Sequence, residues 1–215
     1  MRELAPFPLV KVCGFTDAAE ARAAALAGAG AIGLVDHATS PRRVALTRAA
    51  EIVAALPTDC LAVAVFVDRD REYVFDFLRR SGARAAQLCG SERASEWSDF
   101  PYPILRRVGV AAGAEAEIAS WRTCAAGFVL DHPSAPGGTG RAAELLTAAR
   151  LVSSARPCLL AGGLDERNVA ERIAAVRPDG VDASSRLESA PGRKDLARVE
   201  PFVRRARLAL AEVRA

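Results

Sequence analysis

Short apolar runs and longer helical patterns alternate along the whole chain. The runs are Leu9–Cys13, Ala31–Val35, Leu61–Val67, Ala85–Leu88, Ile104–Val108, Phe128–Asp131, Cys158–Ala161 and Gly180–Ala183. Helical spacing fills residues 17–28, 44–56, 70–80, 91–97, 114–122, 142–153 and 166–176, and a last stretch ends near 213. Val74, Phe77 and Leu78 share one helical face, as do Leu145, Leu146 and Ala149. The last stretch repeats Leu196, Val199, Val203, Ala206, Leu210 and Val213 in steps of three and four. Pro201 inside it lacks a backbone donor, which predicts a kink or restart there. Strands that alternate with helices imply βα units and a parallel sheet. Eight such units predict an α/β chain folded as a single (β/α)8 TIM barrel, one domain over 1–215. An open doubly wound sheet is the alternative.

Strand alternation in the first run puts Leu9, Lys11 and Cys13 on one face and Val10 and Val12 on the other. A core has no need of a lysine and a cysteine at a strand's C-terminal end. In a barrel, function collects at that end. The candidates there are Cys13, Asp36, Asp68, Cys89, Asp131, the Ala161-Gly162-Gly163 turn and the Ser184-Ser185-Arg186 turn. Glycine pairs let backbone N–H groups approach a ligand, and Ser184 and Ser185 add hydroxyl donors. Barrels commonly seat a phosphate at these last two loops. Gly137-Gly138-Thr139-Gly140, directly behind Asp131, could close over a substrate.

Cys13 and Asp131 form the candidate acid/base pair. A thiol serves as a base when its pKa lies near working pH, which a cation such as Lys11 can arrange. Asp182, on the strand beside the first in a closed barrel, is placed to pair with Lys11. The alternatives are a buried small apolar residue for Cys13 and a cap or loop residue for Asp131. His37 and His132 read as exposed loop histidines, and Cys60, Cys124 and Cys158 as packing.

Composition narrows the function classes. The 215 residues are 51% hydrophobic and 26% charged, with a net charge of +3 and no basic run interleaved with aromatics, so nucleic acid is not an expected partner. The five cysteines are odd in number with no C-x-x-C pair, which points to reduced thiols and not a disulfide framework. With only two histidines, no histidine-rich metal site is expected. No signal-like start is present, and no apolar stretch approaches the ~20 residues of a membrane span. A cytoplasmic protein with no membrane partner is expected, as a monomer or a homodimer.

The motifs resemble the phosphoribosylanthranilate isomerase family of tryptophan biosynthesis. In order they are Lys11-Val12-Cys13-Gly14, Ser40-Pro41-Arg42, Val65-Phe66-Val67, Gln87-Leu88, Val129-Leu130-Asp131, Gly137-Gly138-Thr139-Gly140, Ala161-Gly162-Gly163-Leu164 and Gly180-Val181-Asp182-Ala183-Ser184-Ser185. The resemblance implies a (β/α)8 barrel with no cofactor and no metal. It implies an Amadori rearrangement, an aldose–ketose isomerisation of N-(5′-phosphoribosyl)anthranilate to the 1-deoxyribulose 5-phosphate product. Asp131 would then protonate the ring oxygen as general acid, and Cys13 would take the C2 proton from the resulting Schiff base. Arg42 matches the arginine on the anthranilate carboxylate, and Asp182 an inward aspartate near the reacting centre. With the glycine and serine turns as the phosphate site, the substrate-binding set is Lys11, Arg42, Asp182, Gly138, Gly162, Gly163, Ser184, Ser185 and Arg186.

Three positions depart from the family pattern. Arg186 stands where the family has glycine, so it either strains the turn or brings its charge to the phosphate. Cys89 replaces a histidine, and Ala142-Ala143-Glu144 replaces Phe-Asp-Trp. These departures motivate two alternatives: a related isomerase for another phosphorylated aminosugar, and an inactive protein that binds a phosphorylated ligand.

Overall fold

The first strand, β1 (Val10–Cys13), is buried on both faces, and the two faces meet different surroundings. Val10 and Val12 pack outward into the main core between the strands and the helices. Cys13 faces inward against Val65 and Cys89. The structure, a computed structural model, describes residue 4, residues 6–7, residues 9–133 and residues 144–214.

Seven more parallel strands follow: β2 (Ala31–Asp36), β3 (Leu61–Phe66), β4 (Ala85–Leu88), β5 (Ile104–Gly109), β6 (Gly127–Asp131), β7 (Cys158–Leu160) and β8 (Gly180–Ala183). β8 pairs back onto β1 with Lys11 opposite Asp182, which closes the barrel in sequence order. Inside, Ala31, Val63, Ala85, Leu105, Val129 and Leu159 form an apolar floor. A side-chain-filled interior of this kind makes the barrel a packed core with its working end at the strand C-termini.

The helices are α1 (Ala18–Leu26), α2 (Leu46–Ala55), α3 (Arg71–Ser81), α4 (Ala114–Trp121), α5 (Leu145–Ala155), α6 (Val169–Val176) and α7 (Leu196–Glu212). Asp17 starts α1 by accepting from Ala19 N and Glu20 N, and Asp70 starts α3 by accepting from Tyr73 N. Each carboxylate satisfies donors that the first turn leaves without a partner. Gly82, at φ 78°, ends α3 in a left-handed cap that glycine adopts without strain.

Three sequence expectations change. The segment 91–97 holds only a 3-10 turn, Ala94–Glu96. It has no apolar stripe to bury, and Trp97 packs edge-on against Phe100 instead. α7 does not restart at Pro201 but runs unbroken, because Val199, Phe202, Val203, Ala206 and Leu210 are all buried and hold it to the barrel. After β8 the chain makes a hairpin, β9 (Glu188–Ala190) and β10 (Arg193–Lys194), that the periodicity does not show. The predicted loop Gly137-Gly138-Thr139-Gly140, with Gly138 of the binding set, and Ala142-Ala143 lie outside the described residues.

Candidate active site

The C-terminal ends of the strands surround a cavity of about 510 Å³. Cys13, Arg42, Asp131, Gly162, Gly163, Asp182, Ser184, Ser185 and Arg186 all line it. Residues scattered over more than 170 positions of sequence therefore meet in one opening. Asp36 and Asp68 do not join them. Asp36 is held by Arg43 and Arg69, and Asp68 accepts from Ser91 N and Ser91 Oγ in a tie between loops.

Cys13 reaches the cavity because Gly33 beside it has no side chain. A Cβ at Gly33 would stand 2.5 Å from Cys13 Sγ and 2.9 Å from its Cα, closer than real atoms pack. Ser184 Oγ donates to Cys13 O at 2.9 Å, joining the ends of β8 and β1. Burial pushes the Cys13 thiol above its ordinary pKa, and the neighbouring Lys11 ammonium opposes that rise. The free thiol is therefore protonated at neutral pH, with a cation beside it to meet the charge when it ionises.

Lys11 donates to Asp182 Oδ2 at 2.8 Å, the pairing expected from the strand register. Burial alone would discharge this lysine, but Asp182, with Cys13 beside it, outweighs burial and raises its pKa. Lys11 is fully buried and does not line the cavity. Direct contact with a ligand is therefore corrected to a place one layer beneath Cys13.

Asp131 ends β6. Its Oδ1 accepts from His132 N at 2.8 Å, and Arg107 Nε approaches Oδ2 at 3.5 Å. Arg107 Nη2 also donates to His132 O at 2.5 Å, so one buried guanidinium braces both the carboxylate and the backbone after it. Periodicity passed over Arg107. Its signal was the pair Arg106-Arg107 inside an apolar strand, which alternation must split between two faces. Arg106 faces the helices, between Glu92 and Glu117, and Arg107 faces the cavity.

On the far side, Gly162 and Gly163 take φ values of 90° and 64°, a left-handed pair that an L side chain would strain. Arg186 sits in the 3-10 turn Ser185–Leu187 without positive φ, which removes the strained-turn alternative. Its Nη1 lies 3.2 Å from Asp165 Oδ2, tying the loop after β8 to the loop after β7. Cys89, where the family has histidine, lines the opposite wall and accepts from Gln87 Nε2 at 3.3 Å. His37 also lines the cavity, its Nε2 paired with Thr39 Oγ1 at 2.9 Å, and so is more than an exposed loop residue.

Comparison with known proteins gives a consistent result. The sequence model for N-(5'phosphoribosyl)anthranilate (PRA) isomerase matches residues 10–205. The N-(5'-phosphoribosyl)anthranilate isomerase of Acidithiobacillus ferrooxidans is 39% identical over 206 residues, covering 94% of this chain and 98% of that protein. The dimeric phosphoribosylanthranilate isomerase of Thermotoga maritima, solved as generated monomers, superposes with a TM-score of 0.81 at 27% identity, over 94% of this chain and 99% of that one. A phosphoribosylanthranilate isomerase in complex with reduced 1-(o-carboxyphenylamino)-1-deoxyribulose 5-phosphate gives a TM-score of 0.82 at 28% identity, with the same coverage.

Proposed function

The chain belongs to the phosphoribosylanthranilate isomerase family, and from that premise we propose how its cavity performs the family's Amadori rearrangement in tryptophan biosynthesis. The substrate, N-(5′-phosphoribosyl)anthranilate, carries a phosphate at one end and an aryl carboxylate at the other. The Gly162-Gly163 and Ser184-Ser185 turns receive the phosphate, with Arg186 at the rim, and Arg42 receives the carboxylate. Asp131 gives a proton to the ring oxygen, so the C1–O bond breaks and a C1=N Schiff base forms. Cys13 removes the C2 proton, and the enolamine takes a proton at C1 as the ketone forms at C2. Asp182, on the cavity wall, and Lys11 beneath it hold the charge balance around the thiol. The observation that carries this reading is a thiol and a carboxylate on the wall of one cavity that the Gly162-Gly163 and Ser184-Ser185 turns also line.

The chain is proposed to act as one domain over 1–215, as a monomer or a homodimer; a ligand site within a single barrel supports this. All five cysteines are free, which supports a reducing, cytoplasmic setting. No helix among the described residues is long and apolar enough to cross a membrane.

Purified protein mixed with the substrate tests the activity through the change in anthranilate fluorescence. Turnover is expected; none under saturating substrate sinks the assignment. Cys89 and Arg186, both on the cavity wall, favour the second reading of a different phosphorylated aminosugar in that event. An inactive binding protein is tested in a tryptophan auxotroph. Wild type is expected to rescue growth and Cys13→Ser is not.

Two further outcomes follow from the geometry. Because the Cys13 pKa is raised and the base must be a thiolate, the fraction of competent free enzyme grows as pH rises. We expect kcat/KM still to be climbing at pH about 8.5, the ordinary thiol value. A profile already flat at neutral pH would contradict a raised thiol as base. Arg186→Gly removes a rim cation far from the reacting carbons, so it is expected to raise KM and spare kcat. A collapsed kcat with unchanged KM would place Arg186 in the chemistry.

A further inference from the structure

Arg42 lines the cavity, yet part of its guanidinium is already committed. Nε and Nη2 donate to Glu188 Oε1 and Oε2, each at 2.8 Å, while Nη1 is not engaged by Glu188. Lys194 donates to the same Glu188 Oε1 at 2.7 Å and to Ser184 O at 3.2 Å. The Lys194 side chain is wholly buried, the Glu188 side chain is 5% exposed, and neither lines the cavity. The arrangement is anchored on every side. A Cβ at Gly14 would meet Arg42 Cδ at 2.5 Å, so the arginine stem lies on that glycine. Thr16 Oγ1 donates to Gly192 O at 2.6 Å, and Lys194 N donates to Glu20 Oε2 at 3.0 Å, fastening the β9–β10 hairpin to the loop after β1 and to the first turn of α1.

A closed arginine–carboxylate pair is neutral and offers little to an incoming anion. Glu188 already has its cation in Arg42, so a second, buried at a desolvation cost, is not needed to satisfy it. Its consequence is electrostatic: the three groups together keep one net positive charge, and Arg42 is the member that reaches the cavity. We infer that Glu188 and Lys194 are positioning residues for carboxylate recognition. Glu188 fixes the arginine fork, and Lys194 neutralises Glu188 so that the Arg42 charge stays available to the anthranilate carboxylate. This rests on the assignment of Arg42 to that carboxylate made above.

The test compares binding of two product analogues: reduced 1-(o-carboxyphenylamino)-1-deoxyribulose 5-phosphate and its phenylamino counterpart without the carboxylate. Lys194→Met is expected to weaken the first about tenfold and leave the second unchanged, with KM raised similarly and kcat retained. Lys194→Arg restores wild-type values, and Arg42→Gln shows the same selectivity for the carboxylated analogue with a larger loss. Should Lys194→Met fail to fold, Lys194→Gln deletes the same charge and carries the same expectation. If Arg42→Gln discriminates between the analogues and the Lys194 variant does not, the inference is overturned while the carboxylate assignment stands. If Arg42→Gln weakens both analogues equally or neither, that assignment fails and the inference with it.

Discussion

Cys13→Ala is expected to lower kcat by about 10²–10⁴-fold, the usual worth of a positioned general base, and to leave KM close to wild type. The side chain is small and sits against Val65 and Cys89, so its removal leaves the phosphate turns and Arg42 where they are. What disappears is the thiol proposed to accept the C2 proton. Cys13→Ser is expected to be nearly as slow, because a hydroxyl beside Lys11 ionises far less readily than a thiol. Steady-state kinetics by anthranilate fluorescence reads both variants. A loss smaller than about tenfold would remove Cys13 from the proton transfer.

Asp131→Asn is expected to cost kcat a similar factor of about 10²–10⁴ by a different route. The amide keeps the shape of the carboxyl group, and its oxygen can still accept from His132 N, so the end of β6 stays in place. It cannot give up a proton to the ring oxygen, and the sugar then opens only through solvent. Arg107, left beside a neutral amide, still holds His132 O. A variant with normal kcat and raised KM would reduce Asp131 to a binding group.

Much of the barrel was legible because each strand is short, apolar and followed by helical spacing. Predicted and observed bounds for β4 and β8 coincide, at Ala85–Leu88 and Gly180–Ala183. The Lys11–Asp182 pair was legible too, since barrel closure puts the last strand beside the first. The rest hid for identifiable reasons. Glu188 and Lys194 lie on a hairpin of three- and two-residue strands, too short for any period, and only Pro191-Gly192 marked the turn. Gly33 was an unremarked glycine in a strand, although such a glycine often marks a close approach, here of Cys13. Arg107 was masked by its neighbour Arg106, and only alternation separates their roles. Lys11 shares the face of Cys13 two residues deeper on the strand, and its full burial sets it beneath the cavity wall.

The assignment of the two proton transfers is tested most directly with substrate deuterated at C2, followed through a single turnover. Cys13→Ser slows the cleavage of the C2 bond itself, so its isotope effect is expected to equal or exceed that of wild type. Asp131→Asn slows the ring opening that comes first, so its isotope effect is expected to fall toward unity. The reverse order, or equal effects in both variants, would contradict the division of labour between the thiol and the carboxylate.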